Sequence, residues 1–304
     1  MAALTLRDRF ENYIASLAET CLNELGPRER KLKAEHKTWN HPAGGAGTRT
    51  MIEGGALIER LWIESSVVSG KHPATGETFY KAEFAVALYP RQVDAPAIIA
   101  RLSYEAPSVE AAASDGKYSG GVCVVPNYLS LDEARHVHLM LQEVCDEYHP
   151  DFYRLFKEAA DDYYQLPTRG EALGIGGLHF SKLGVEHGHT LEDRYEFVTS
   201  VGDVLIEVLL QLLPEEADTD APSDAQRRFQ EVRQGRIAEW LLRHDEAIAA
   251  ALALGYPADA VLAGLPPRPR WSALDAKKAS PEAELIAALR PTEWLSDTKV
   301  KPKK

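Results

Sequence analysis

The run "TFYKAEFAVALYP", residues 78–90, alternates with a period of two. Tyr80, Ala82, Phe84, Val86 and Leu88 fall on one face, and Pro90 closes the run. A second run, "AIIARLSYE" at 97–105, repeats the pattern. Ile98, Ala100, Leu102 and Tyr104 share one face, while Ile99, Arg101, Ser103 and Glu105 share the other. The connections between such runs are too short for a helical crossover, so the region 56–125 is predicted to be an antiparallel sheet. Arg101, Ser103 and Glu105 make the second face polar for an interior strand, which marks it as a candidate binding surface.

Helical periodicity flanks the strands. Leu6, Phe10, Ile14, Leu17, Cys21 and Leu25 form an apolar stripe that Gly26 and Pro27 end. The glycine-rich "WNHPAGGAGTRTMIEGG" lacks the Lys-Ser/Thr ending of a phosphate-binding loop and reads as a loop ahead of a strand. Beyond residue 128 the pattern is almost wholly helical. Ser130 with Glu133 forms a capping box, and Ala134, Val137, His138, Leu141 and Cys145 make one stripe. Further helices are predicted at 151–165, 191–213 and 224–254, with an exposed loop at 215–225. Strands followed by helices, with no break in composition, predict a single α+β domain over 1–295 and a lysine-rich tail at 296–304.

Composition narrows the function. Forty-six acidic against 34 basic residues give a net charge of -12, which disfavours nucleic acid and anionic membranes as partners. No apolar run is long enough to span a bilayer and the N-terminal segment carries charges, so a cytoplasmic location is expected. Cys21, Cys123 and Cys145 have neither even number nor CxxC spacing, so no disulfide framework or zinc knuckle is expected. His179, His187 and His189 lie close together in "LHFSKLGVEHGH"; with His138 nearby they would be candidates for a mononuclear metal site. No nucleophile elbow supports a Ser-His-Asp triad.

The segment "HPDFYRLFKEAADDYYQLPTRGEALGIGGLHF" resembles the oxygen-dependent coproporphyrinogen III oxidase family. Tyr153, Phe156, Lys157, Asp162, Tyr163, Arg169, Glu171, Gly174, Gly176 and Gly177 carry the likeness. "HPAGGAGTR", "SVVSG", "GGVCVVPNYLSLDEARHVH", "RQGRIAEW", "LPPRPRW" and "SPEAELIAALRPTEWL" agree in order, so the resemblance covers about residues 5–295. It implies a large antiparallel sheet covered on both faces by helices, a homodimer, and a substrate site between sheet and helices. It further implies oxidative decarboxylation of tetrapyrrole propionates, with molecular oxygen as oxidant and no required metal or organic cofactor.

Site positions implied by the resemblance are partly kept. Arg49, Ser66, His138, Arg169 and Glu171 stand where the family has the same residues. The family's His-x-Asn-x-Arg strand falls on Ile99, Arg101 and Ser103, its proposed carboxylate base on Cys123, and a propionate-gripping Gly-Gly-Arg on Gly255, Tyr256 and Pro257. The expectation is a divergent oxidase for a tetrapyrrole, pyrrole or other electron-rich carboxylate. Arg49, Ser66, Arg101, Ser103, Arg169 and Glu171 would bind the substrate, Cys123 would replace the base or pack the floor, and His138 would relay protons. A non-catalytic tetrapyrrole- or partner-binding paralogue and a metal-dependent oxygenase on this scaffold are the alternatives.

Overall fold

The computed structural model describes residues 4–29, 33–186, 188–217, 220–274 and 276–296. His187 and the tail from 297 onward lie outside the described residues. Among the described residues nine strands run in chain order: β1 (Glu35–Asn40), β2 (Gly45–Glu53), β3 (Ile58–Lys71), β4 (Thr78–Pro90), β5 (Ala97–Ala106), β6 (Lys117–Val125), β7 (Gln165–Leu166), β8 (Glu171–Ala172) and β9 (Gly176–Leu183). The described helices are α1 (Leu6–Leu25), α2 (Leu131–Asp146), α3 (Phe152–Tyr163), α4 (Leu191–Leu212), α5 (Asp224–Arg243), α6 (Glu246–Leu254), α7 (Ala258–Val261) and α8 (Pro281–Ala288). Seven strands form one sheet in the order β1-β2-β3-β4-β5-β6-β9, with every neighbouring pair antiparallel.

The predicted faces are the observed ones. Tyr80, Ala82, Phe84, Val86 and Leu88 join Ile98, Leu102 and Tyr104 in the larger apolar cluster. Phe10 and Ile14 of α1, Leu141 of α2, and Phe197, Val201 and Leu205 of α4 complete that cluster. The opposite face meets α5 and α6 through a second cluster that includes Trp62, Ile99, Cys123, Tyr164, Ile237, Trp240 and Ile248. Helices therefore cover the sheet on both sides, as a two-faced amphipathic sheet requires.

Four local expectations change. The glycine-rich segment is a hairpin, because Gly44 and Gly45, at φ 133° and 89°, supply a turn that side-chain-bearing residues rarely adopt. β9 adds a strand inside the region read as helical; its Gly177 sits so close to β6 that a Cβ would lie 2.1 Å from the Val122 carbonyl oxygen. Ser130 Oγ accepts from the Glu133 amide at 3.3 Å, but only that half of the capping box forms. The helix expected over 224–254 breaks at Asp245, whose Oδ1 accepts from the Ala247 amide and starts a new helix.

Candidate functional site

The sheet register lines up the polar residues of the α5 face. One row crosses the strands as Arg49, Glu64, Ala85, Arg101, Gly121 and His179. The next runs Gly47, Ser66, Glu83, Ser103 and Ser119. Where α5 ends and α6 begins, the helices stand off this face and leave a cavity of about 340 Å³ lined by Lys81, Glu83, Arg101, Ser103, His179 and Asp245 among others. A concave site of this size, part apolar with convergent polar groups, suits a small molecule.

Charge in the cavity is arranged as a connected chain. Lys81 Nζ lies 2.8 Å from Glu83 and 3.5 Å from Glu105. Arg101 lies 2.9 Å from the other oxygen of Glu83 and 3.7 Å from Asp245. Burial opposes the charge of Lys81, Glu83 and Arg101, but the mutual attraction outweighs it. The cations are held above their ordinary pKa values and Glu83 below its own. Removing Glu83, the acid that both cations share, would leave buried charge poorly paired, which is costlier than the pair is beneficial.

Aromatic rings form the remaining wall. Tyr163 stacks on His179 with centroids 3.8 Å apart and planes 9° from parallel. Its hydroxyl donates to Asp245 at 3.2 Å, and Trp240 Nε1 donates to the Tyr163 carbonyl at 3.0 Å. Burial depresses His179 to about 4, with Asp245 opposing, so its ring is neutral at pH 7. A Cβ on Gly121 would meet the Tyr164 hydroxyl at 2.5 Å, so glycine there lets the end of α3 close over the sheet.

The residues expected to act are only partly gathered. Arg101, Ser103 and His179 line the cavity. Arg49 and Ser66 lie on the same sheet face farther along the strands; Arg49 Nη1 donates to the Asp259 carbonyl at 2.7 Å. Arg169 and Glu171 are tied instead to α5, through Glu239 at 2.7 Å and Arg236 at 3.2 Å, and stand outside the cavity lining. His138, expected as a proton relay, lies apart from the cavity lining. It is fully buried on the α2 side, with Nδ1 2.9 Å from the Tyr153 hydroxyl, Nε2 3.0 Å from the Ile175 carbonyl and Trp294 stacked on its ring. Burial pushes it down to about 4, and both nitrogens are satisfied away from the cavity.

Cys123 is on the cavity-side face but has no exposed surface and packs in the apolar cluster beneath α5. Burial drives its thiol far above the ordinary range, with Arg233 opposing only weakly, which holds it as the protonated thiol. The histidine candidates for a metal do not converge: His179 stacks on Tyr163, while His189 contacts His149 and Phe152. Among the described residues no group of three or more metal-ligating side chains is assembled.

Lys81, Glu83, Glu64 and Asp245 went unselected in the sequence. For Lys81 and Glu83 the signal was present, since they are the polar alternates of the strongest strand. Asp245 was hidden inside an uninterrupted helical pattern.

Comparison with known proteins identifies the family of the chain. The family profile described as coproporphyrinogen III oxidase matches residues 9–294. The soybean (Glycine max) oxygen-dependent coproporphyrinogen-III oxidase, chloroplastic, is 28% identical over 97% of this chain and 81% of its own length. Arabidopsis thaliana coproporphyrinogen-III oxidase 1, chloroplastic, is 26% identical over 96% of this chain and 80% of its own. With an antiparallel sheet between helical layers and a cavity on its polar face, the chain belongs to the coproporphyrinogen III oxidase family.

Proposed function

We propose that this protein is an oxygen-dependent oxidoreductase that decarboxylates an electron-rich pyrrolic acid, and that coproporphyrinogen itself is a poor substrate. The carrying observation is the pairing of Arg101 with both Glu83 and Asp245. Lys81 is likewise paired, and Lys182 at the exposed rim has no carboxylate within ion-pair distance among the described residues. The cavity thus has one uncommitted cation. A substrate carrying four carboxylates would bring charges with no partners, at a cost of several kcal/mol for each one desolvated.

The chemistry needs no group from the protein to carry electrons. The propionate side chain, as its carboxylate, loses carbon dioxide and one hydrogen together with that hydrogen's bonding electron pair, and becomes a vinyl group. Oxygen takes the two electrons and, with one further proton from solvent, becomes hydrogen peroxide. The chain supplies a dry cavity, the Tyr163–His179 stack beside which the pyrrole ring is placed, and the Lys182 charge for the carboxylate. The reading carries with it the homodimer that the resemblance implies.

Coproporphyrinogen and monopyrrole propionates should be incubated in air and under nitrogen and followed by mass spectrometry. The expected result is oxygen-dependent loss of carbon dioxide plus two hydrogens from a monopyrrole, with little change in coproporphyrinogen. No oxygen-dependent mass change in any of them would sink the proposal.

A further inference from the structure

Beside the cavity, close to Glu83 of its lining, three buried polar atoms make no hydrogen bond. They are Glu64 Oε2, Ser66 Oγ and the Tyr256 hydroxyl. Glu64 and Ser66 alternate on β3, opposite Arg49 and Gly47 on one side and Ala85 and Glu83 on the other. Tyr256 follows Gly255, whose φ of 92° turns the chain out of α6. Its ring packs on Trp39 and His41, each with centroids 5.1 Å away. The hydroxyl rests near Ser66, in the field of Glu83 and Glu64, without reaching hydrogen-bond geometry. All three residues are at least nine-tenths buried.

Buried polar atoms are nearly always satisfied, so the ligand that completes this corner is defined by what the atoms lack. A carboxylate oxygen only accepts, and two hydroxyls can also accept. An ammonium group has three donors and no acceptor. The charges agree: among the described residues that line the cavity or face Glu64, the cations Arg49, Lys81, Arg101 and Lys182 stand against Glu64, Glu83, Glu105, Asp245 and Glu246, leaving one negative charge over.

We propose that Glu64, Ser66 and Tyr256 form an ammonium-binding subsite, so that the substrate is an amine-bearing pyrrolic acid. This rests on the proposed reaction only for the pyrrole ring; the subsite itself is a statement about binding. The Glu64 carboxyl is pushed up to about 7, first by burial and then by Glu83, against Arg101, Arg49 and Lys81. Below that pH it holds a proton that an arriving ammonium must displace. Affinity for amines therefore rises with pH through neutrality, by about tenfold from pH 6 to pH 8.

The test is calorimetric titration under nitrogen with 2-(aminomethyl)pyrrole, 2-(hydroxymethyl)pyrrole and pyrrole-2-carboxylate. The amine should bind at least about tenfold more tightly than the alcohol at pH 8 and lose that margin at pH 6. Glu64→Gln should abolish both the preference and its pH dependence while alcohol binding persists, which shows the variant is folded. Tyr256→Phe gives a second, milder loss should Glu64→Gln fail to fold. Equal binding of amine and alcohol, or an unaltered preference in Glu64→Gln, would overturn the subsite. Amine-selective binding without aerobic turnover would instead overturn the reaction and leave the subsite standing.

Discussion

His138 shows how a residue in a family position can serve packing. Its ring is neutral in the fold because burial depresses it to about 4, against 6.5 for a free histidine. A lowered histidine pKa stabilises the fold fully above pH 6.5, and that contribution is lost as pH falls toward 4. Between pH 7 and pH 5 it amounts to about 2 kcal/mol. Urea unfolding of His138→Gln should therefore show lower stability at pH 7 but a stability loss on acidification smaller by about that amount. An unchanged pH slope would show that the imidazole titrates normally in the fold. Legibility at this scale follows the local period. Arg101 and Ser103 were readable because a strand exposes alternate residues to one side. For Cys123 packing and chemistry both stayed open, because α5, which covers it, lies far along the chain.

At the scale of elements, the break between α5 and α6 matters most, because it directs Asp245 to the cavity. Asp245 caps α6 through the Ala247 amide at 2.9 Å and neutralises Arg101 at 3.7 Å. The two roles separate chemically, since asparagine caps as well as aspartate but carries no charge. Asp245→Asn should fold with near-native stability and bind pyrrole-2-carboxylate about tenfold more tightly, because Arg101 loses one of its two acids. Asp245→Ala should gain the same affinity but lose about 1 kcal/mol in thermal unfolding for the missing cap. Equal carboxylate affinity in wild type and both variants would show that Arg101 does not face the bound ligand. Periodicity alone did not show this break, because "RIAEWLLRHDEAIAAALAL" is mostly good helix formers and only His244 and Asp245, at the break itself, combine low propensity with a capping side chain. The β1–β2 hairpin was missed for a related reason: its glycines looked like a loop, while its residues gain order only by pairing with β3.

Across the whole molecule the two helical layers are unequal, and that inequality sets where the structure opens. α4 lies on the larger cluster and buries Phe197, Val201, Leu205 and Leu209, among others, against the sheet. α6 buries only Ile248 and Ala251, and exposes Leu252. Local opening is easiest where little apolar surface is covered, so the α6–α7 segment should exchange its amide hydrogens well before α4 and the central strands. That segment also carries Asp245 at its start, and Tyr256 stands between its two helices, so it closes both the cavity and the ammonium corner. Hydrogen exchange followed by mass spectrometry should show fast exchange over 246–261 in the free protein. Saturating 2-(aminomethyl)pyrrole should slow exchange there while leaving 191–212 unchanged. Exchange in α6 as slow as in α4 without ligand would mean that the cavity is closed by a rigid wall, and entry would then have to come past Lys182 at the rim.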